Sequence, residues 1–131
     1  MWEAGKYGIG AARVSEYGTK DGYGYIRLAN AGTGTWHIQF NQWIGLHSLK
    51  TYTISFKVKA DISRSINVKI LQNHEPWINY FVQRVNLTSD WQIFTYLYTH
   101  PEGADEIVQL SFELGLQTPT TIYFDDITIT N

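Results

Sequence analysis

The chain has 131 residues, 44% of them hydrophobic and 17% charged, which suits one domain around a single buried core and is too short for two. Ten Lys and Arg against twelve Asp and Glu leave a formal charge of −2, so no positive stripe is available for a phosphate backbone and nucleic acid is disfavoured as a partner. The absence of cysteine removes disulfides, thiolate nucleophiles and cysteine metal sites together, and no apolar run reaches the eighteen or so residues that cross a bilayer.

From the N-terminus, Met1-Trp2-Glu3-Ala4-Gly5 lacks the basic-then-apolar layout of a secretion signal. Strands are expected at Tyr25 to Ala29 and at Trp36 to Trp43. Thr51 to Ala60 alternates cleanly, with Tyr52, Ile54, Phe56 and Val58 on one face and Thr53, Ser55, Lys57 and Lys59 on the other. Ile66, Val68 and Ile70 alternate with Asn67, Lys69 and Leu71, and further strands are expected at Asn79 to Leu87 and Trp91 to Thr99. Val108, Leu110, Phe112 and Leu114 alternate with Gln109, Ser111 and Glu113, and Thr121 to Thr130 ends the chain. Parity changes near Asp125-Asp126 and again around Gln83-Arg84, which predicts a bulge at each. No segment keeps a helical period, and turn formers such as Asp21-Gly22 and Ala31-Gly32-Thr33-Gly34 fill the gaps. Eight or nine strands, mostly apolar on one side, predict an all-β fold: a two-sheet antiparallel β-sandwich with jelly-roll topology, occupying residues 1–131 as one module.

Aromatic residues make up 15% of the chain, with five Trp and nine Tyr, more indole and phenol than a core of this size usually buries, so some are expected to face a ligand. Because Ile38 and Phe40 supply a core face, His37, Gln39 and Asn41 form an outward polar row. Gln109, Ser111 and Glu113 form a second row, and Asn67 and Lys69 a third. Planar amides bordered by Trp rings suit a sugar chain, whose hydroxyls need paired donors and acceptors and whose C–H faces stack on indole. The plain alternative is a wet sheet face with tryptophans in the core. Trp91 is expected to pack structurally, whereas Trp36 and Trp77 are expected at the rim of a groove; Trp2 and Trp43 are left open.

A glycosidase would need two carboxyl groups facing each other across a cleft, roughly 5–10 Å apart. Glu113 has only neutral neighbours on its face, and the other acids fall in turns or at the bulge. The four histidines have no i, i+2 or i, i+4 partner, which argues against a metal clamp. No nucleophile elbow or phosphate-cradling glycine loop is present. Two rival readings remain beside a glycan binder: a small jelly-roll glycoside hydrolase using Glu113, and a spacer or interaction sandwich.

Trp36-His37-Ile38-Gln39, the stretch Lys50 to Ala60, Val85-Asn86-Leu87-Thr88-Ser89-Asp90-Trp91, Leu110 to Gly115 and Ile122-Tyr123-Phe124-Asp125-Asp126-Ile127 together resemble carbohydrate-binding modules of families four, nine, sixteen and twenty-two. The resemblance runs from about Gly24 to Asn131. It implies a non-catalytic, monomeric jelly roll, part of a secreted bacterial polysaccharide-degrading enzyme, that holds one polysaccharide chain in a groove. A β-glucan is the first candidate, and xylan and mannan are the others. It implies that Trp36 and Trp77 are stacking platforms, with Gln39, Gln109 and Glu113 as hydroxyl partners beside His37, Asn41 and Lys69. In relatives an Asn-Gly-Phe-Glu type opening helps to hold a structural calcium. Here Met1-Trp2-Glu3-Ala4-Gly5 replaces it, so no cofactor is required and Asp126 and Glu3 are the candidate ligands if calcium is bound.

Overall fold

The computed structural model describes residues 3–6 and 12–131. Among the described residues ten strands form two antiparallel five-stranded sheets. The strands are β1 (Glu3–Lys6), β2 (Arg13–Lys20), β3 (Tyr23–Asn30), β4 (Ile38–Gly45), β5 (Thr51–Ala60), β6 (Arg64–Gln72), β7 (Asn79–Leu87), β8 (Gln92–Thr99), β9 (Ile107–Glu113) and β10 (Thr121–Thr130). A single 3-10 turn, Thr35–His37, precedes β4. The first sheet has the order β1-β4-β9-β6-β7 and the second β2-β3-β10-β5-β8. This is the expected β-sandwich jelly roll, with β1 and β2 in addition to the anticipated strands.

Period-two alternation sends one face of every central strand inward. Ile54, Phe56 and Val58 of β5 and Ile122 and Phe124 of β10 meet Ile66, Val68 and Ile70 of β6 and Leu110 and Phe112 of β9. Four phenylalanines join the two layers. Phe112 lies 4.7 Å from Phe124, 5.2 Å from Phe56 and 6.1 Å from Phe40, centroid to centroid. Burying rings of this size, and pairing them edge-on or offset, stabilises so small a core more than any other kind of side chain could.

The bulge expected at Asp125-Asp126 is present: the register between β10 and β5 shifts between Asp125 and Thr128, and Asp126 takes φ 50°. That shift lets Ile127 and Ile129 pack against the same core as Ile122 and Phe124. The second expected irregularity lies elsewhere. Pairing of β6 with β7 runs unbroken through Gln83 and Arg84 and slips between Ile70 and Leu71, opposite Phe81 and Asn79. The extra residue is Tyr80, whose ring turns toward His100.

Trp91 packs structurally, as expected, but on the outer face of the second sheet and not in a core cavity, edge-on to Tyr23 at 5.6 Å and to Tyr123 at 6.5 Å. The ammonium of Lys59 lies 5.1 Å from its ring centroid. The Phe112→Ala substitution should therefore cost about 3–5 kcal/mol in a urea titration, because it empties the centre of the ring cluster. Trp91→Ala should cost only on the order of 1 kcal/mol, the worth of surface aromatic and cation contacts. Equal losses would contradict this division.

Candidate functional site

The outward face of the first sheet is built from three rows of side chains that cross the strands. Pairing places Gln39 beside Glu113, Asn67 and Arg84 in one row, and Asn41 beside Ser111, Lys69 and Val82 in the next. The third row holds Trp43, Gln109, Leu71 and Asn79. A cleft of about 510 Å³ opens over these rows, lined by Trp36, Gln39, Lys69, Leu71, Trp77, Asn79, Gln109 and Glu113. Six of the eight residues anticipated for the site thus share one cleft.

Trp36 reaches the cleft because its backbone leaves the sheet. The 3-10 turn is closed by His37 N–H donating to the Gly34 carbonyl at 3.1 Å. The turn is backed by the segment after β9: Gly115 N–H donates to the Thr35 carbonyl at 2.9 Å and Leu116 N–H to the Ala31 carbonyl at 2.9 Å. A Cβ on Gly115 would stand 2.2 Å from the Gly34 carbonyl oxygen, so only glycine permits this approach. Arg64 fixes the same segment from below. Its guanidinium donates to the carbonyls of Leu114, Gly115 and Thr118, the last at 2.9 Å, and burial lowers its pKa to about 10, which leaves it charged at neutral pH. Supported this way, the Trp36 ring remains 48% exposed.

Trp77 is displayed by the hairpin between β6 and β7. Its N–H donates to the His74 carbonyl at 2.8 Å, and it adopts φ 60°, a left-handed conformation that bulky residues rarely occupy. Gln72 closes the hairpin below, its N–H donating to the Ile78 carbonyl at 2.9 Å and its side-chain oxygen accepting from Ile78 N–H at 3.1 Å. The Trp77 ring is 49% exposed. Trp36 precedes the Gln39 row on β4, and Trp77 precedes the Asn79 row on β7. They occupy diagonally opposite corners, their backbones on the order of 20 Å or more apart by strand and residue spacing.

The floor between them is polar and internally bonded. Glu113 is only 4% exposed, yet each of its oxygens is engaged: Thr35 Oγ1 donates to Oε1 at 3.0 Å, and Lys69 Nζ lies 3.0 Å from Oε2. Gln39 Nε2 donates to the Trp36 carbonyl at 2.8 Å, and its Oε1 accepts from Asn41 Nδ2 at 2.9 Å. Gln39 keeps one N–H and one lone pair for a ligand, Gln109 has its whole amide, and Lys69 has further N–H donors. Among the described residues no second acidic side chain lines the cleft.

Two anticipated residues lie elsewhere. His37, expected in the outward row, ends the 3-10 turn, is buried, and accepts the Thr33 N–H on its Nδ1 at 3.2 Å. The turn displaces it from strand parity, so it supports the loop rather than facing the cleft. Asn41 keeps its row but is buried beneath the lining residues as a brace for Gln39. Leu71 and Asn79 line the cleft in addition to the anticipated residues, and Trp43, on the same face beside Gln109, is 64% exposed. Leu71 shares parity with Asn67 and Lys69, and Trp43 with Gln39 and Asn41, so alternation alone points to both.

For calcium, Asp126 supplies one carboxylate on the second sheet, 3.9 Å from Lys57 Nζ. Calcium takes six to eight oxygens, and the described residues gather no group of three or more potential His, Cys, Asp or Glu ligands. The Glu3 side chain and Trp2 lie outside the described residues.

The model of the carbohydrate binding domain of families 4 and 9 matches residues 1–121. The chain belongs to this family. A solved family 4 module is 67% identical, with a TM-score of 0.96 over 98% of this chain and 85% of that one. A cellulose 1,4-beta-cellobiosidase of Acetivibrio thermocellus is 27% identical over 113 residues, which is 79% of this chain and 13% of that enzyme. The chain therefore spans about an eighth of that relative. The N-terminal cellulose-binding domain of a β-1,4-glucanase from Cellulomonas fimi shares the fold at 18% identity, with a TM-score of 0.75 over 98% of this chain and 86% of that one. As a carbohydrate-binding domain of this family, the protein is non-catalytic. Among the described residues Glu113 has both oxygens bonded and no second acid lines the cleft with it.

Glu113→Ala leaves the half-buried Lys69 without its counter-charge and Thr35 without its acceptor, and should cost about 1–3 kcal/mol in chemical denaturation. Glu113→Gln, which keeps an acceptor for Thr35, should cost less. A Glu113→Ala protein as stable as the parent would show that the ion pair does not organise the floor.

Proposed function

We propose that the cleft binds one polysaccharide chain of the β-glucan type and so directs an attached glycoside hydrolase to its substrate. The observation that carries this reading is the diagonal pair Trp36 and Trp77 across a floor of amides. Residues whose backbones stand on the order of 20 Å or more apart are engaged together only by an extended ligand of several sugar units. Indole faces cover the C–H faces of pyranose rings, while Gln39, Gln109, Asn79 and Lys69 exchange hydrogen bonds with equatorial hydroxyls. Glu113 acts beneath them, holding Lys69 and the Trp36 turn.

The cellobiosidase relative supports a β-1,4-linked glucan over xylan or mannan, and supports a place for this module in a larger, secreted enzyme. The module acts as a monomer in this reading, because one chain already spans the cleft. Neutral hydroxyls need no cation, so a chelator should leave affinity unchanged even if a structural calcium contributes to stability.

Affinity electrophoresis against hydroxyethylcellulose, lichenan, laminarin, xylan and mannan identifies the polymer, and calorimetry on variants tests the cleft. Trp36→Ala or Trp77→Ala should weaken binding by about 2 kcal/mol, roughly 30-fold. Gln39→Ala and Gln109→Ala should weaken it about tenfold or less, since water replaces part of a lost hydrogen bond in an open groove. Prolonged incubation should release no reducing ends. Unchanged affinity in stably folded Trp36→Ala and Trp77→Ala proteins would place the site on another face.

A further inference from the structure

The ring of His74 is held by two acceptors at once. Its Nδ1 lies 2.7 Å from the carbonyl oxygen of Glu75, and its Nε2 lies 2.5 Å from Oδ2 of Asp105. A neutral imidazole has one N–H and one lone pair. With a neutral ring facing a carboxylate, either tautomer sets a nitrogen lone pair against an oxygen lone pair at one of the two contacts. Both contacts are satisfied when the ring carries two protons. His100, close by, makes no such demand: its Nε2 lies 2.7 Å from the Asp105 carbonyl oxygen and its Nδ1 lies 2.8 Å from the Tyr98 hydroxyl, which can donate to it.

The protonated ring joins two segments. His74 lies in the hairpin that displays Trp77, and its carbonyl accepts the Trp77 N–H. Asp105 lies between β8 and β9, where its carbonyl is bonded to His100 and its N–H donates to the hydroxyl of Tyr80, on β7, at 3.3 Å. The imidazolium and carboxylate therefore tie the end of a hairpin to an anchored segment, next to a residue held at a left-handed φ.

We propose that His74 and Asp105 form a proton-dependent clasp that positions Trp77 over the cleft, so that glycan affinity falls as the pH rises and His74 loses its proton. The proposal rests on Trp77 serving as a stacking ring. Neither residue lines the cleft, so both are positioning residues. Asp105 supplies the charge that His74 faces. Glu75 contributes its carbonyl, His100 and Tyr80 reach only the backbone of Asp105, and Glu106 lies 3.9 Å from His47.

The hydrogen bond to the Glu75 carbonyl, then that to Asp105 and its charge, raise the His74 pKa against a smaller desolvation effect. For a raised pKa the restraint is complete below the ordinary histidine value of about 6.5 and is lost as pH climbs through the higher value in the folded protein.

The test combines proton NMR of the free protein with calorimetry using cellohexaose. The His74 Cε1–H should titrate above the ordinary histidine value, and the Trp77 indole N–H should shift with the same midpoint. Affinity should fall about two- to fivefold between about pH 5.5 and about pH 8.5, the range an exposed ion pair supports. His74→Gln and Asp105→Asn should bind at both pH values as the parent does at the higher one. The clasp is overturned if His74 titrates at or below its ordinary value, if Trp77 shows no inflection at that midpoint, or if His74→Gln keeps the parent's pH dependence. If Trp77→Ala leaves affinity unchanged while the two resonances titrate together, the stacking role of Trp77 fails and the clasp itself stands.

Discussion

A carboxylate at the floor of a cleft is costly to desolvate unless its charge and its lone pairs are both answered. Glu113 meets that condition through Lys69 on β6 and Thr35 in the turn before β4. The same two bonds decide much of the site. Lys69 is held in the plane of the floor, and the turn that carries Trp36 is drawn against the end of β9, where Gly115 and Arg64 complete its support. Glu113, which the sequence offers as a hydroxyl partner or as the acid of a rival hydrolase, braces the floor of the cleft instead.

The two sheets use their aromatic residues differently. Inside, Phe40, Phe56, Phe112 and Phe124 interlock and hold the layers together. On the outer face of the second sheet, Tyr23, Trp91 and Tyr123 contact one another edge-on, with the Lys59 ammonium near two of the rings. These rings already have partners. Trp36 and Trp77 instead leave about half of their surface in water, an exposure that favours a ligand able to cover it.

Most of the fold is legible in the chain because alternation in a sandwich reports burial directly. Thr51 to Ala60, Asn79 to Leu87 and Thr121 to Thr130 match their strands residue for residue. β2 leaves no such signature, because Arg13–Lys20 is an edge strand with an exposed, polar-rich face and no apolar alternation. In the site, the residues on regular strands are readable from parity: Gln39, Lys69, Gln109 and Glu113. Those around the 3-10 turn are less so, since the displacement of His37 depends on hydrogen bonds to Thr33 and on a segment near residue 115 distant in sequence. Non-local contacts of that kind leave no periodic trace.

In the proposed reading a glycan chain lies on one face of the first sheet, framed by Trp36 and Trp77. Amide and indole chemical shifts followed during titration with cello-oligosaccharides test it most directly. The account predicts that the largest changes fall on the side-chain amides of Gln39 and Gln109 and the indole N–H groups of Trp36 and Trp77, with Tyr23, Trp91 and Tyr123 unmoved. Changes concentrated on that outer aromatic cluster, with the cleft residues silent, would contradict it.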